Sequence, residues 1–158
     1  SRLVEDLRDR IGQVAYMASH TRERPRIVCV EWLEPLFLAG HWVPEMVELA
    51  GGQNVIAKAG EKSRRVEPKE IALAAPDMAA LMPCGFDLER TAKEASVVTK
   101  QVWWEDLPAA RRGHVWITDG SSFFNRPGPR LVTGLEILAH ILHPETFSRP
   151  PSHVPCGP

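Results

Sequence analysis

Apolar residues change their spacing several times along this chain, and each change marks an element. Leu3, Leu7, Ile11 and Val14 recur at intervals of four, four and three, with Glu5, Asp6, Arg8, Asp9 and Arg10 on the other side. That pattern predicts an amphipathic helix from residue 3 to about 19 that covers a core with one face. A polar linker, His20 to Arg24, ends at Pro25, and Arg26 to Trp32 (RIVCVEW) is then apolar at nearly every position. A strand exposed on one side would alternate; a run without alternation suits a strand buried on both faces of a parallel sheet. Glu34-Pro35 opens a loop. Val43, Met46, Val47 and Ala50 make the apolar side of a second helix, with Pro44 in its first turn and Gly51-Gly52 as its stop. Asn54 to Ala57 predicts a short second strand and Lys58 to Arg65 a charged loop. Lys69 to Ala74 follows Pro68 as a short helix.

The second half repeats the alternation. Asp77 to Met82 predicts a third strand, and Pro83-Cys84-Gly85-Phe86 is the loop at its carboxyl end. Asp87 fits the N-cap of a helix from Leu88 to about Thr99. Trp103-Trp104 follow, then a single turn at Leu107 to Arg112 and a fourth strand at His114 to Thr118. Leu131, Leu135, Leu138 and Leu142 form the buried stripe of a last helix, 131–142, and Ser148 to Pro158, with four prolines, is expected to be a disordered tail. The order implies an α/β fold: a three-layer αβα lobe with a mainly parallel sheet, Rossmann-like or chelatase-like, preceded by a long helix. Its parts are the helix at 1–20, the lobe at 25–147 and the tail at 148–158.

Composition narrows the function. Of 158 residues 44% are hydrophobic and 25% charged, with a formal net charge of −1, so no basic field favours nucleic acid and no lysine–arginine cluster suggests an anionic membrane. Cys29, Cys84 and Cys156 form no C-x-x-C pair, which excludes a zinc ribbon or redox motif. The chain begins at Ser1 without Met or a signal peptide and is helical from the start. It is therefore expected to be a processed or excised piece of something longer.

In a parallel sheet the loops at the strands' carboxyl ends share one edge, where such folds bind ligands. Here those loops carry Glu31 and Trp32, His41 and Trp42, Cys84, Gly85 and Phe86, and Phe123 to Arg126. Aromatics are only 7% of the chain, so their concentration on one edge is informative. Trp32, Trp42, Phe86, Phe123 and Phe124 offer ring faces, Asn125 a donor and an acceptor, and Arg126 a planar donor fork. Pro127-Gly128-Pro129 stiffens the exit. Read singly, each aromatic also fits loop packing, and Arg126 also fits an ion pair at the helix start. His140 and His143, at i and i+3, have no third ligand near in sequence and are expected at the surface, so no metal site is assigned. His41 fits a hydrogen-bonding group or an axial ligand to a macrocycle's metal. No nucleophile motif surrounds Cys84, so Cys84 with His41 as base is a weak pairing, and the chain is not expected to be an enzyme.

Four segments carry a resemblance: EWLEPLFLAGHWVPEMVELAGG at 31–52, VEPKE at 66–70, PDMAALMPCGFDLERT at 76–91 and DGSSFFNRPGPRLVTGLEILAHILHPE at 119–145. Together they resemble the C-terminal lobe and interlobe helix of class III periplasmic substrate-binding proteins of ABC transporters, in the cobalamin-binding branch. The resemblance covers roughly residues 1–147. It implies a ligand held between two lobes joined by one helix, of which this chain supplies the helix and the second lobe. It also implies cobalamin or a related corrinoid or tetrapyrrole as transported ligand rather than catalyst. Iron-siderophore, haem or metal-ion binding by the same fold is an alternative, and a cytosolic regulator or enzyme reusing the lobe is another. The ligand-binding residues it implies are Glu31, Trp32, His41, Trp42, Gly85, Phe86, Phe123, Phe124, Asn125 and Arg126. Ser122 stands where cobalamin-binding relatives carry an acid. Docking on an ABC permease falls to Glu67 and Glu70, which flank Lys69 at the position of the family's docking glutamate. The implied location is periplasmic or extracytoplasmic; without a leader in the chain, a cytoplasmic one stays open. A lone lobe is also expected to self-associate through its aromatic edge.

Overall fold

A computed structural model describes residues 1–148. The proline-rich tail expected from Ser148 onward, with Cys156, therefore lies almost wholly outside the described residues. The elements in chain order are α1 (Arg2–Ser19), β1 (Arg26–Leu33), β2 (Leu36–Leu38), α2 (Val43–Leu49), β3 (Gln53–Asn54), β4 (Arg64–Arg65), α3 (Pro68–Ala74), β5 (Met78–Leu81), α4 (Leu88–Glu94), α5 (Ser96–Thr99), α6 (Val102–Glu105), α7 (Pro108–Arg111), β6 (Val115–Ile117), α8 (Gly120–Phe123) and α9 (Arg130–Leu142).

The sheet runs β4-β2-β1-β5-β6, with β3 also paired to β1. β1 is parallel to β3 and β5, and β5 is parallel to β6, whereas β2 is antiparallel to both β1 and β4. The apolar run of β1 has the predicted cause. Ile27 and Cys29 point into a core made with α1, α2 and α9, and Val28 and Val30 point into a second core made with α3, α5, α6 and α7. β5 divides in the same way, with Met78 and Ala80 on the first face and Ala79 and Leu81 on the second. The result is a mainly parallel sheet between two helical layers.

Several expectations need correction. The loop expected at Glu34-Pro35 is a tight hairpin, because β1 continues to Leu33 and turns back into β2. Trp32 thus lies within a strand, opposite Phe37, beyond a register shift that follows Val30. The second parallel strand is shorter and earlier than 54–57, at Gln53–Asn54. The charged loop 58–65 ends in β4, where Arg64 and Arg65 pair by backbone alone with Leu38 and Phe37. The helix from Leu88 is divided at Ala95 into α4 and α5. The most fully buried tryptophan is Trp104 on α6, while the strand residue Trp116 is only half-buried.

His143 is also not a surface histidine. It is buried at the end of α9, and its Nε2 lies 2.9 Å from the Gly51 carbonyl oxygen. Gly51 follows α2 at φ +89°, and a Cβ there would lie 2.7 Å from His143 Nε2 and 3.1 Å from the Ala18 methyl. The ends of α1, α2 and α9 therefore meet at one point with no room for a side chain. Farther along, Arg10 of α1 binds Glu136 of α9 at 2.6 Å and Thr133 at 3.2 Å. The hydrogen bond to Glu136 holds the Arg10 pKa above its ordinary value. Replacing Gly51 with alanine is expected to lower stability by about 1–3 kcal/mol, because it combines a left-handed backbone with a clash. Urea denaturation checks this, and a loss under about 0.5 kcal/mol would contradict the junction's role.

Candidate ligand-binding edge

The edge is assembled from the ends of β1, β5 and β6 and the entry to α2. The chain leaves β5 through Met82 and Pro83, whose backbone is close to that of Gly120: a Cβ on Gly120 would lie 2.7 Å from the Met82 oxygen and 2.8 Å from that of Pro83. Glycine at 120 is what lets the two loops touch backbone to backbone. Asp119 caps α8, accepting from the Ser122 amide at 2.9 Å and the Ser122 hydroxyl at 2.7 Å. The stretch expected as a plain loop thus contains a helical turn. An aspartate three residues before a serine amide is a capping signal that could have revealed it.

Hydrogen bonds and ring contacts link the predicted site residues into one chain. Trp32 and Phe86 meet edge to face with centroids 5.4 Å apart. The Phe86 carbonyl accepts from the Ser121 amide at 3.1 Å. The Asn125 side chain reaches the Gly85 amide at 3.2 Å and the Met82 carbonyl at 3.3 Å. The Trp42 indole donates to the Phe124 carbonyl at 2.8 Å, and the His41 ring lies 5.5 Å from that of Trp42. Glu31 joins through its carbonyl, which accepts from the Cys84 amide at 2.9 Å.

These residues do different work. Phe86 and Phe124 are only 3% and 1% exposed, so their rings are packing and not open faces. Trp32 is 37% exposed, Trp42 and Phe123 are half-buried, and His41 and Arg126 are exposed. His41 has φ +56°, held by its amide donating to the Glu61 carbonyl at 2.6 Å and its carbonyl accepting from Gly60 at 3.0 Å. A non-glycine residue in that region is uncommon and points to a locally enforced geometry. Arg90, which sequence reasoning did not single out, places its guanidinium 3.7 Å from the Phe86 ring centroid and so supports the Trp32–Phe86 pair from behind.

Among the described residues no three His, Cys, Asp or Glu side chains are grouped to hold a metal, and no hydrogen bond joins Cys84 to His41. Glu67 and Glu70 form a capping box at the start of α3, and Glu70 also pairs with Arg64 at 2.8 Å. The Glu70 carboxylate, which also accepts from the Glu67 amide at 2.8 Å, is therefore engaged in holding α3, whereas Glu67 is exposed. A cavity of about 980 Å³ lies at the opposite edge of the sheet, between His20–Pro25 and Ile141–Thr146, over Trp116. Helix carboxyl ends gather there, and two of its cations are committed, while Arg22 also lines it: Arg24 binds the Glu48 and Gly52 carbonyls at 3.1 Å each, and Arg112 pairs with Asp77 at 3.3 Å.

The chain is a two-faced α/β lobe with aromatic groups at the strands' carboxyl edge. Comparison with solved structures shows that it shares the fold of class III, TroA-like periplasmic substrate-binding proteins. A periplasmic heme binding protein from Pseudomonas aeruginosa matches with a TM-score of 0.80 and 19% identity over 99% of this chain and 57% of that one. An ABC transporter substrate-binding protein from Listeria monocytogenes EGD-e matches with a TM-score of 0.79 and 18% identity, over 90% and 56%. The periplasmic vitamin B12 binding protein BtuF of Vibrio cholerae matches with a TM-score of 0.69 and 20% identity, over 87% and 51%. The chain spans about half the length of the solved proteins it matches. No protein-family model matches the sequence, and no curated protein matches it.

Thiol chemistry separates edge from core. Cys84 is exposed at the edge, whereas burial of Cys29 on β1 pushes its pKa up to about 12. A thiol-disulfide reagent at pH 8, with sites mapped by mass spectrometry, is expected to label Cys84 quickly and Cys29 only after denaturation. Equal labelling of the two in the native chain would refute this placement. The buried thiol favours the folded chain below the unfolded value of about 8.5, and that stability is lost as pH rises from there toward the folded value.

Proposed function

We propose that this chain is the ligand-binding lobe of an ABC-importer substrate-binding protein for a flat macrocycle, cobalamin or a related corrinoid or tetrapyrrole. The observation that carries the reading is the contiguous edge of Trp32, His41-Trp42 and Phe123, with Arg126 at one end. A macrocycle presents a broad apolar disc with polar groups at its rim. Half-buried rings supply area at low ordering cost, and a guanidinium supplies a donor for a carbonyl, carboxylate or phosphate. The same fold in proteins named for haem and for vitamin B12 supports that ligand class. The lobe acts by closing with a second lobe over the ligand, without covalent chemistry. The full protein would work outside the cytoplasm and deliver to a permease; the exposed Glu67 carboxylate on α3 is the docking candidate that remains most accessible.

A second reading, haem in place of a corrinoid, is favoured by His41. An exposed imidazole held out by an enforced backbone suits an axial metal ligand. Titration with cyanocobalamin and with haemin separates the two, followed by tryptophan fluorescence and the ligand's visible band. One of them is expected to respond. Phe123→Ala or Arg126→Ala should weaken that response about tenfold, the effect of ~1.4 kcal/mol. His41→Ala should alter the visible band only if haem is the ligand. No response to either, in the chain joined to a complementary lobe, would sink the proposal.

A further inference from the structure

We propose that Asn125 is a positioning residue: it pins the loops after β5 and β6 into one preformed plate beneath the ligand and does not itself contact the ligand. The proposal rests on the reading of this edge as a binding face. The Asn125 Oδ1 accepts from the Gly85 amide at 3.2 Å, and its Nδ2 donates to the Met82 carbonyl at 3.3 Å. Its own amide donates to the Gly120 carbonyl at 2.9 Å. One neighbour is a donor and the other an acceptor, so only a side chain with both functions, in this orientation, satisfies them. Aspartate would set a carboxylate against the Met82 carbonyl oxygen. Leucine would leave both backbone groups without a partner.

Packing around the pin shows why it matters. Gly120 allows the 82–83 backbone to come close, and Gly134 on α9 does the same for the Phe123 carbonyl, which a Cβ would strike. The segment 120–124 is therefore held close to the β5 exit at Gly120 and to α9 at Gly134, and Asn125 closes the arrangement laterally. Met82 is tied in turn to β1, its amide donating to the Val30 carbonyl at 2.8 Å. On one side of the pin stand Phe123 and Arg126. On the other stands Phe86, against which Trp32 rests. Asn125 thus sets the distance between the two groups of exposed side chains. If the loops part, the binding-competent arrangement is only a fraction of the population, and apparent affinity falls by that fraction.

The test starts without a ligand, on the 158-residue chain. In Asn125→Ala, amide exchange at Gly85 measured by NMR is expected to be about three- to tenfold faster, the scale of one hydrogen bond. Relaxation dispersion should appear at 83–86 and 123–126, while the β1 and β5 amides keep their protection. Asn125→Asp, which keeps the acceptor for Gly85 but repels Met82, should give the same dispersion with less change at Gly85, and it serves if the alanine variant does not fold. The second arm uses cyanocobalamin or haemin, whichever binds the unsubstituted chain or its two-lobed form. Asn125→Ala should slow association, and its effect should shrink when Phe123→Ala is already present; a purely structural residue would give additive effects. Unchanged Gly85 exchange in both variants would overturn the proposal, and so would additivity with Phe123→Ala or direct ligand contacts to the Asn125 amide protons. If neither ligand binds, the proposed function fails, and the exchange arm alone upholds or overturns the pin.

Discussion

Burial of β1 and β5 on both faces is the constraint from which the rest of this structure follows. Each successive residue of Ile27–Val30 and of Met78–Leu81 enters an opposite core, so helices must cover both sides of the sheet. Parallel strands need helical crossovers, and crossovers that return to the same end place the carboxyl termini of the parallel strands β1, β5 and β6 on one edge. His41-Trp42 reach that edge by another route, after the antiparallel β2, with the Trp42 indole bonded to the Phe124 carbonyl. Cys29, deep in one face, registers the same constraint chemically in its raised pKa.

What the edge does with its residues is more economical than composition suggests. Of five aromatic rings expected to face a ligand, two are packing. Phe124 belongs to the core beneath α9, and Phe86 is held between Trp32 and Arg90. The Trp42 indole N–H and both ends of the Asn125 amide are bonded to backbone. An edge whose polar groups are satisfied internally loses little freedom when a ligand arrives, which is the usual source of affinity beyond area. Trp32, His41 and Arg126 remain exposed, with Trp42 and Phe123 half-buried against the core beside them.

The sequence was legible where a pattern has one physical cause. RIVCVEW suits a strand buried on both faces, which holds for Ile27–Val30 while Glu31 is half-buried and Trp32 exposed, and the stripes of α1 and α9 suit helices. It was illegible where tertiary contact decides. β4 is two exposed arginines, and nothing in their side chains foretells a strand, because only their backbone pairs with β2. β2 is three residues after a proline that reads as a loop. His143 looked like half of a surface pair, yet its burial depends on Gly51, 92 positions away. Within the site, residue type announced the edge, but whether a ring is a face or a filler is set by neighbours such as Arg90 and Gly134, which no local spacing reveals.

The two edges of the sheet differ in their electrostatics. Helices alternate with parallel strands here, so α2, α4 and α9 begin at the strands' carboxyl edge, while α1, α2 and α9 end at the opposite one. Helix amino ends carry partial positive charge and unsatisfied N–H groups; carboxyl ends carry the reverse. α9 begins without a side-chain cap, a few residues after Arg126. The aromatic edge therefore gathers helix amino ends, of which α4 and α8 are capped by Asp87 and Asp119 and α9 is not. The far edge must neutralise its own carbonyls, and the sequence supplies Arg24 for that purpose, bonded to the Glu48 and Gly52 oxygens at the exit of α2. Arg112 pairs with Asp77 at that edge as well, whereas Arg126 beside the aromatic edge has no ion-pair partner among the described residues.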